Sequence, residues 1–299
     1  MKIILTGASG FVGKNLTSFL IDNVFLTYCI SLRNSDWKMN FYGDAIIHLA
    51  GKAHDTKNTS KASEYFEVNT NLTKELFDEF LKSDIKDFIY FSSVKAVADE
   101  VSEILYEDIN PNPQTPYGQS KLKAEEYILS KEIPEGKRVF IIRPCMIHGP
   151  GNKGNLNLLY NVVNKRVPYP LAAFYNERSF LGIDNLNYLV KEIIENKEIP
   201  SGIYNFADDE ILSTNKLIEI ISATANKKNL SIAVPKTLIN VIAKFGDLIK
   251  FPLNSETIQK LTENYRVSNE KIKLAIGIDK LPFTARQGLE KTIKSFITK

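Results

Sequence analysis

Tyr117 and Lys121 stand four residues apart in TPYGQSKLKAEEY, a Y-x-x-x-K that on a helix places a phenol and an ammonium group one turn apart on one face. An ammonium so placed lowers the phenol's proton affinity, which makes the tyrosine a proton donor or acceptor near neutral pH. Spacing alone carries little, because a chain with 13 tyrosines and this many lysines contains about one such pair by chance, and Tyr127 with Lys131 makes a second. Setting separates the two. Tyr117 follows Pro116 where a loop enters a helix, so it can reach a bound molecule, whereas Tyr127 lies roughly three turns deeper in the same helix and is expected to pack or to face solvent. Upstream, Ser92 and Ser93 end the apolar run Phe88 to Phe91, and a serine at the end of a strand can hold a substrate hydroxyl or carbonyl. The histidines, His48, His54 and His148, have no metal-site spacing and no cysteine-rich set beside them; structural roles are expected and no metal is implied.

A second chemical signal lies at the amino end. After the apolar run Met1 to Leu5 comes Thr6-Gly7-Ala8-Ser9-Gly10-Phe11-Val12-Gly13, followed by an amphipathic stretch to Ile21. A strand, a glycine-rich turn and a helix in that order suit a dinucleotide. The glycines allow a tight turn and close backbone approach, and the free N–H groups and dipole of the helix receive the pyrophosphate. Gly7, Ser9, Gly10, Phe11, Val12 and Gly13 are therefore expected cofactor contacts. An acid for the adenosine ribose belongs about 20 residues on. The second strand instead ends Ile30-Ser31-Leu32-Arg33, with no acid before Asp36. Arg33, with the hydroxyls of Ser31 and Ser35, suits a 2′-phosphate, so NADP is favoured over NAD.

The elements that must position these residues alternate. Strand-like runs at Met1 to Leu5, Phe25 to Leu32, Ala45 to Leu49, Phe88 to Phe91 and Arg138 to Ile142 are separated by helical patterns at Phe11 to Ile21, Lys61 to Lys82 and Ser120 to Leu129. Alternation with short loops predicts an α/β fold, a Rossmann-type doubly wound parallel sheet. After Pro144 the pattern loosens, with helical periodicity returning at Asn185 to Asn196, Thr214 to Ala225 and Pro235 to Lys250. Residues 1–165 read as a dinucleotide-binding domain and 166–299 as a smaller mixed α/β substrate-binding lobe, the two interleaving where a segment near 180–206 can return to the first. The apolar stretch Leu238 to Leu253 is either a docking surface for a membrane-bound partner or a core helix of the lobe, and a core helix is the expectation.

Composition closes off several classes. The 299 residues are 43% hydrophobic and 24% charged, which excludes a disordered tail, and a net charge of +3 without long single-sign blocks is no nucleic-acid footprint. Cys29 and Cys145 each sit in an apolar run and are expected to be reduced core thiols. MKIILTG is too short for a signal peptide or a membrane span, so a cytoplasmic protein is expected.

Taken in order, these motifs resemble the extended short-chain dehydrogenase/reductases, the NAD-dependent epimerase/dehydratase group that acts on nucleotide sugars. TGASGFVG is similar to that family's TGxxGFxG, IIHLAG to the strand before its nicotinamide pocket, VNTNLT to its N-x-x-G-T segment, and YFSSV to its catalytic-serine strand. PYGQSK is similar to its Tyr and Lys segment, RPCMIHGPG to RPxxVYGPG, RSFLGIDN to RxFxxVDD and GIYNFADDE to the GxYNxG strand. The resemblance implies Ser93 as the substrate-polarising hydroxyl, Tyr117 as the acid/base and Lys121 as the residue on the nicotinamide ribose. It also implies cofactor contacts at Leu49, Ala50, Gly51, Asn69 and Pro144, substrate contacts at Asn155 and at Arg178 on the nucleotide or its diphosphate, and a nucleoside diphosphate sugar, most often UDP-linked, as substrate. Leu72, Asn185 and His148 depart from the pattern, and the short interval from Arg33 to Asp44 implies a trimmed adenine pocket.

Within that family a C5–C6 dehydratase carries Thr-Asp-Glu where this chain has Ser93-Val94-Lys95, which cannot supply the acid and base pair, so a dehydratase is not the expectation. The missing ribose acid favours a 4-ketoreductase, which consumes reduced cofactor, over a 4-epimerase, which retains it. SSVKAV and GKAH resemble the branch found near bacterial amino-deoxysugar and surface-polysaccharide pathways. A non-catalytic dinucleotide-binding sensor or scaffold is the third alternative, and the resemblance also allows a homodimer.

Overall fold

The computed structural model describes residues 1–33, 37–38, 41–52, 61–152, 154–249 and 255–298. Strand β1 (Lys2–Thr6) is buried from Ile3 onward, as a parallel strand covered on both faces must be. A turn leads to α1 (Phe11–Asp22), then to β2 (Leu26–Ile30) and β3 (Ala45–His48), which flank β1 in parallel. The next helix begins as α2 (Ala62–Tyr65), widens through a π-helical segment at Phe66–Asn71 and continues as α3 (Leu72–Lys82). Strand β4 (Asp87–Phe91), the short β5 (Ile104–Leu105), α4 (Pro116–Leu129) and β6 (Arg138–Pro144) follow. Beyond them come β7 (Met146–His148), α5 (Asn155–Asn164), β8 (Arg178–Gly182), α6 (Ile183–Glu195) and β9 (Gly202–Phe206). The chain ends with β10 (Ile211–Leu212), α7 (Thr214–Thr224), α8 (Lys236–Ile249), α9 (Ser255–Thr262), β11 (Arg266–Val267), α10 (Glu270–Ile276) and α11 (Ala285–Ile297).

Six strands form one parallel sheet in the order β2-β1-β3-β4-β6-β9. Alternate residues feed opposite faces. Ile3, Leu5 and Ile89 pack with Leu16, Leu20 and the helix α6 residues Leu186 and Leu189, while Ile4, Ile46 and Phe88 pack with Phe77, Phe80 and Ala124. Strand order reverses between β1 and β3, and in such sheets ligands bind outside the carboxyl ends of the strands at that crevice. A second core joins Leu156, Leu217, Ile239 and Leu289 around the three-stranded sheet β10-β8-β7.

One expectation changes. Cys29 is exposed, not a core thiol, because β2 is the edge strand and also shows Leu26 and Tyr28 to solvent. Among the described side chains of α8, Ile239 and Ala243 are buried, as a core helix requires, whereas Leu238 and Val241 are about half exposed. The rest of the Leu238 to Leu253 stretch, from residue 250 to its end, lies outside the described residues. No helix among the described residues is long and apolar enough to cross a membrane.

Candidate active site

The glycine turn is built by close backbone approach. Gly7 has φ +75°, and a Cβ there would stand 2.6 Å from the Ala50 nitrogen and 2.7 Å from the Leu49 carbonyl carbon. At Gly13 a Cβ would lie 2.2 Å from the Gly7 oxygen. Thr6 ties this turn to the next strand end: its hydroxyl accepts from the Ala50 N–H at 3.1 Å and meets His48 Nδ1 at 2.7 Å. His48 spans onward to the Thr73 hydroxyl at 2.8 Å, and burial, then the Lys121 charge, pull its pKa down to about 3, so it bridges two hydroxyls as a neutral ring. Helix α1 opens on Gly10 with no side-chain cap, so the first N–H groups of the helix, at Phe11, Val12 and Gly13, face outward without an intrahelical acceptor. Asn15 donates to the Phe11 oxygen at 2.9 Å and the Pro150 oxygen at 3.3 Å, which holds the loop after β7 beside the turn. A backbone cradle beside an uncapped positive helix end fits a dinucleotide pyrophosphate.

A second cluster sits at the ends of β3 and β4. Asn69, within the π-helical segment, accepts from the Lys52 N–H at 2.7 Å and donates to the Lys52 oxygen at 3.1 Å and the Ser120 hydroxyl at 3.0 Å. A Cβ on Gly51 would be 3.0 Å from Asn69 Oδ1 and 3.3 Å from Lys121 Nζ, so Gly51, Asn69 and Lys121 converge on one point. The π-helical widening falls on the residue whose side chain makes that junction, and such bulges recur at functional sites. Lys121 is buried, donates to the Phe91 carbonyl at 2.8 Å and lies 4.9 Å from the Tyr90 ring centre. Burial pulls its ammonium from 10.5 down to about 8, against an upward pull from Glu125.

Tyr117 owes its place to the helix start. Thr115 caps α4 by accepting from the Gly118 N–H at 3.3 Å, Pro116 occupies the first turn, and Asp99 accepts from the Gln114 N–H at 2.6 Å and the Thr115 hydroxyl at 2.9 Å. The phenol hydrogen-bonds the Ser93 hydroxyl, and the ring stands edge-on to Tyr65 with centroids 6.2 Å apart. Burial pushes the Tyr117 phenol above its ordinary range, with Ser93 pulling down and Tyr65 up. Tyr127 by contrast donates to both Asp78 carboxylate oxygens, at 2.7 and 2.9 Å, with Lys131 over its ring, away from the strand ends.

Arg178, at the start of β8, pairs with Glu263 at 3.4 Å. Burial lowers its guanidinium while Glu263 raises it. Lys95 shares that neighbourhood, donating to the Asp99 carbonyl with its ammonium 4.3 Å from the Tyr265 ring centre. Pro144 closes β6 at the same sheet edge as Ser93. Arg33 is exposed beyond β2, its N–H on the Ser31 hydroxyl at 3.4 Å. Ser35, Asp36 and His54 lie outside the described residues, and Asn155 is placed only as the first residue of α5. The structure thus gathers Gly7, Gly10, Gly13, Leu49, Ala50, Gly51, Asn69 and Lys121 around the strand ends, with Ser93 and Tyr117 bonded to each other, while Arg178 stands apart at the start of β8 beside Glu263. Sequence reasoning missed Glu125 and Arg143, a buried ion pair behind Lys121. Its signal was available, a glutamate four residues after Lys121 on the same helix face.

Comparison with known proteins points the same way. The chain is 28% identical to a UDP-glucose 4-epimerase of Vibrio cholerae, with 99% of this chain and 95% of the relative aligned. It is 26% identical to a GDP-6-deoxy-D-mannose reductase of Pseudomonas aeruginosa over 75% of this chain and 80% of that one. The structure of RMD from Pseudomonas aeruginosa complexed with NADPH superposes with a TM-score of 0.77 at 22% identity, covering 100% of this chain and 99% of the other, which shows a shared fold. Residues 3–207, well over half of the chain, match the NAD dependent epimerase/dehydratase family, and the chain belongs to that family of extended short-chain dehydrogenase/reductase enzymes.

Proposed function

We propose that this protein is an NAD(P)-dependent oxidoreductase of a nucleoside diphosphate sugar, a 4-ketoreductase of a UDP-4-keto-6-deoxy-HexNAc in surface-polysaccharide precursor synthesis, with NADP preferred over NAD. The observation that carries the reading is the end of β2, where exposed Arg33 follows Ser31 and the sequence offers no acid before Asp36 to hold an adenosine ribose. A reductase consumes reduced cofactor, commonly NADPH, whereas an epimerase lends a hydride and takes it back and gains by holding NAD tightly. The likeness to a UDP-glucose 4-epimerase supports the second reading, a UDP-hexose or UDP-HexNAc 4-epimerase.

The glycine turn and the opening of α1 would hold the pyrophosphate, Arg33 the 2′-phosphate, and Lys121 with Asn69 the nicotinamide ribose. A reduced nicotinamide cofactor supplies the hydride when bound. Ser93 holds the C4 oxygen of the sugar, Tyr117 gives that oxygen its proton, and the Lys121 ammonium steadies the phenolate left behind. Arg178 anchors the diphosphate by charge-assisted hydrogen bonds. The same reading carries a cytoplasmic location, where reduced cofactor is supplied, and a homodimer paired through the helices that flank the site.

Cofactor preference gives a direct test at Arg33. NADPH is expected to bind more tightly than NADH, and Arg33→Ala to erase most of that gap by removing a charge-assisted contact of about 1.5 to 3 kcal/mol. Equal affinities in the unaltered protein, measured by titration calorimetry, would remove the NADP preference. The reaction itself is tested by following NADPH absorbance with a panel of UDP-linked and dTDP-linked sugars, including 4-keto-6-deoxy forms. One NADPH lost per product is expected with a 4-keto sugar.

A further inference from the structure

Behind the Tyr117 and Lys121 face lies a charged cluster that no step above uses. Glu125 is fully buried one helical turn after Lys121, and Arg143, 2% exposed, reaches it from β6. Arg143 Nε donates to both Glu125 oxygens at 3.1 Å and Nη2 donates to Oε2 at 2.5 Å, while the Ser92 hydroxyl donates to Oε1. Arg143 Nη1 also donates to the Glu107 carbonyl at 3.3 Å. Two strands therefore clamp one carboxylate in a single orientation. The clamp is joined to the site through the chain as well: Lys121 donates to the carbonyl of Phe91, the residue before Ser92.

A buried ion pair is weak evidence for stability, since desolvation costs several kcal/mol per ion and apolar side chains of similar volume often serve as well. Its position relative to Lys121 suggests another role. Facing that ammonium are the Tyr90 ring from β4, His48 from β3, Asn69 from the π-helical segment and Glu125 from α4. Lys52, whose main chain Asn69 holds, has its own ammonium on Glu64 at 2.7 Å. His48 is held neutral and the tyrosines keep their protons, so Glu125 is the carboxylate whose field reaches Lys121.

We propose that Glu125, clamped by Arg143 and Ser92, is a positioning residue whose charge keeps the proton on Lys121, and that Arg143 sets how much of that charge Lys121 feels. The proposal rests on the reading that the Lys121 ammonium serves Tyr117, so its test reads Lys121 directly as well as through turnover. Protein labelled with ε-¹³C lysine, its Lys121 resonance assigned with Lys121→Arg, is titrated by NMR beside the pH profile of kcat. The unaltered protein should lose the Lys121 proton near pH 8. Glu125→Gln removes the attraction and leaves Arg143 uncompensated, so the midpoint should fall by roughly one pH unit or more, and turnover should fail at correspondingly lower pH. Arg143→Gln unmasks the carboxylate and should move the midpoint the opposite way. The double variant should return toward the starting value, and Glu125→Asp, which keeps the charge, should shift least.

Opposite shifts from the two single variants are the signature, because general loosening of the fold would move both alike. If Glu125→Gln does not fold, the upward shift in Arg143→Gln carries the test. A Lys121 midpoint unmoved in the folded variants, or moved in the same direction by both, overturns the proposal. Midpoints that shift as expected while the kcat profile stays fixed would leave the proposal standing and remove Lys121 from the proton path.

Discussion

Tyr117→Phe is expected to lower turnover by about 10²-fold or more, the scale of a lost general acid, while leaving the fold and cofactor affinity near normal. The substitution removes one oxygen. The ring keeps its edge contact with Tyr65, and the cap of α4 by Thr115 and Asp99 does not involve the phenol. What is lost is the hydroxyl bonded to Ser93, the proton donor of the proposed reaction. Tyr127→Phe is the matched control, because the sequence offers it as an equal Y-x-x-x-K. Its hydroxyl serves the partly exposed Asp78, so that change should cost about 0.5 to 1.5 kcal/mol of stability and leave kcat within about twofold. Equal losses of activity from the two variants, in steady-state assays on proteins with near-native melting curves, would contradict the assignment of Tyr117.

Gly13→Ala is expected to weaken NADPH binding by roughly 10- to 100-fold. The added Cβ would sit 2.2 Å from the Gly7 oxygen and 2.7 Å from the Ala8 Cα, and both neighbours are backbone, so the turn itself must move. Overpacking of this kind costs about 1 to 3 kcal/mol. Here the cost falls on the peptide groups that would receive the pyrophosphate. Gly136→Ala separates this from general destabilisation: Gly136 has φ +78° with nothing within 4 Å of its Cβ, so alanine there strains the backbone by about 1 to 2 kcal/mol at a distant loop. Its NADPH affinity should be unchanged. A Gly13→Ala protein that binds NADPH normally by calorimetry would remove the turn from the cofactor site.

Gly7, Gly13 and Tyr117 were legible because each depends on a local rule: glycine where backbone meets backbone, proline where a helix begins. The alternating elements were legible for the same reason, since strand and helix periodicities are local. What escaped depends on distant partners. Helical period at 61–82 does not disclose the π-helical turn at Phe66–Asn71, which goes with Asn69 binding Lys52 and Thr70 donating to the Ser120 carbonyl at 2.7 Å across to α4. Cys29 reads as buried from its apolar neighbours, but burial there would require another strand beyond β2. Arg143 falls just past the strand-like run Arg138 to Ile142, and only the extension of β6 and its packing against α4 reveal its carboxylate.

The central claim is that hydride and proton are both added to C4 of a keto sugar, at the expense of one reduced cofactor per turnover. NADPH carrying deuterium at the transferable position, incubated with the protein and a UDP-4-keto-6-deoxy-HexNAc, tests it most directly when the product is read by NMR. The account predicts one deuterium at C4 of a UDP-6-deoxy-HexNAc, matched by loss of one NADPH. Interconversion of UDP-glucose and UDP-galactose, or of their N-acetyl forms, without added reductant and without deuterium at C4 would contradict it and establish the epimerase reading.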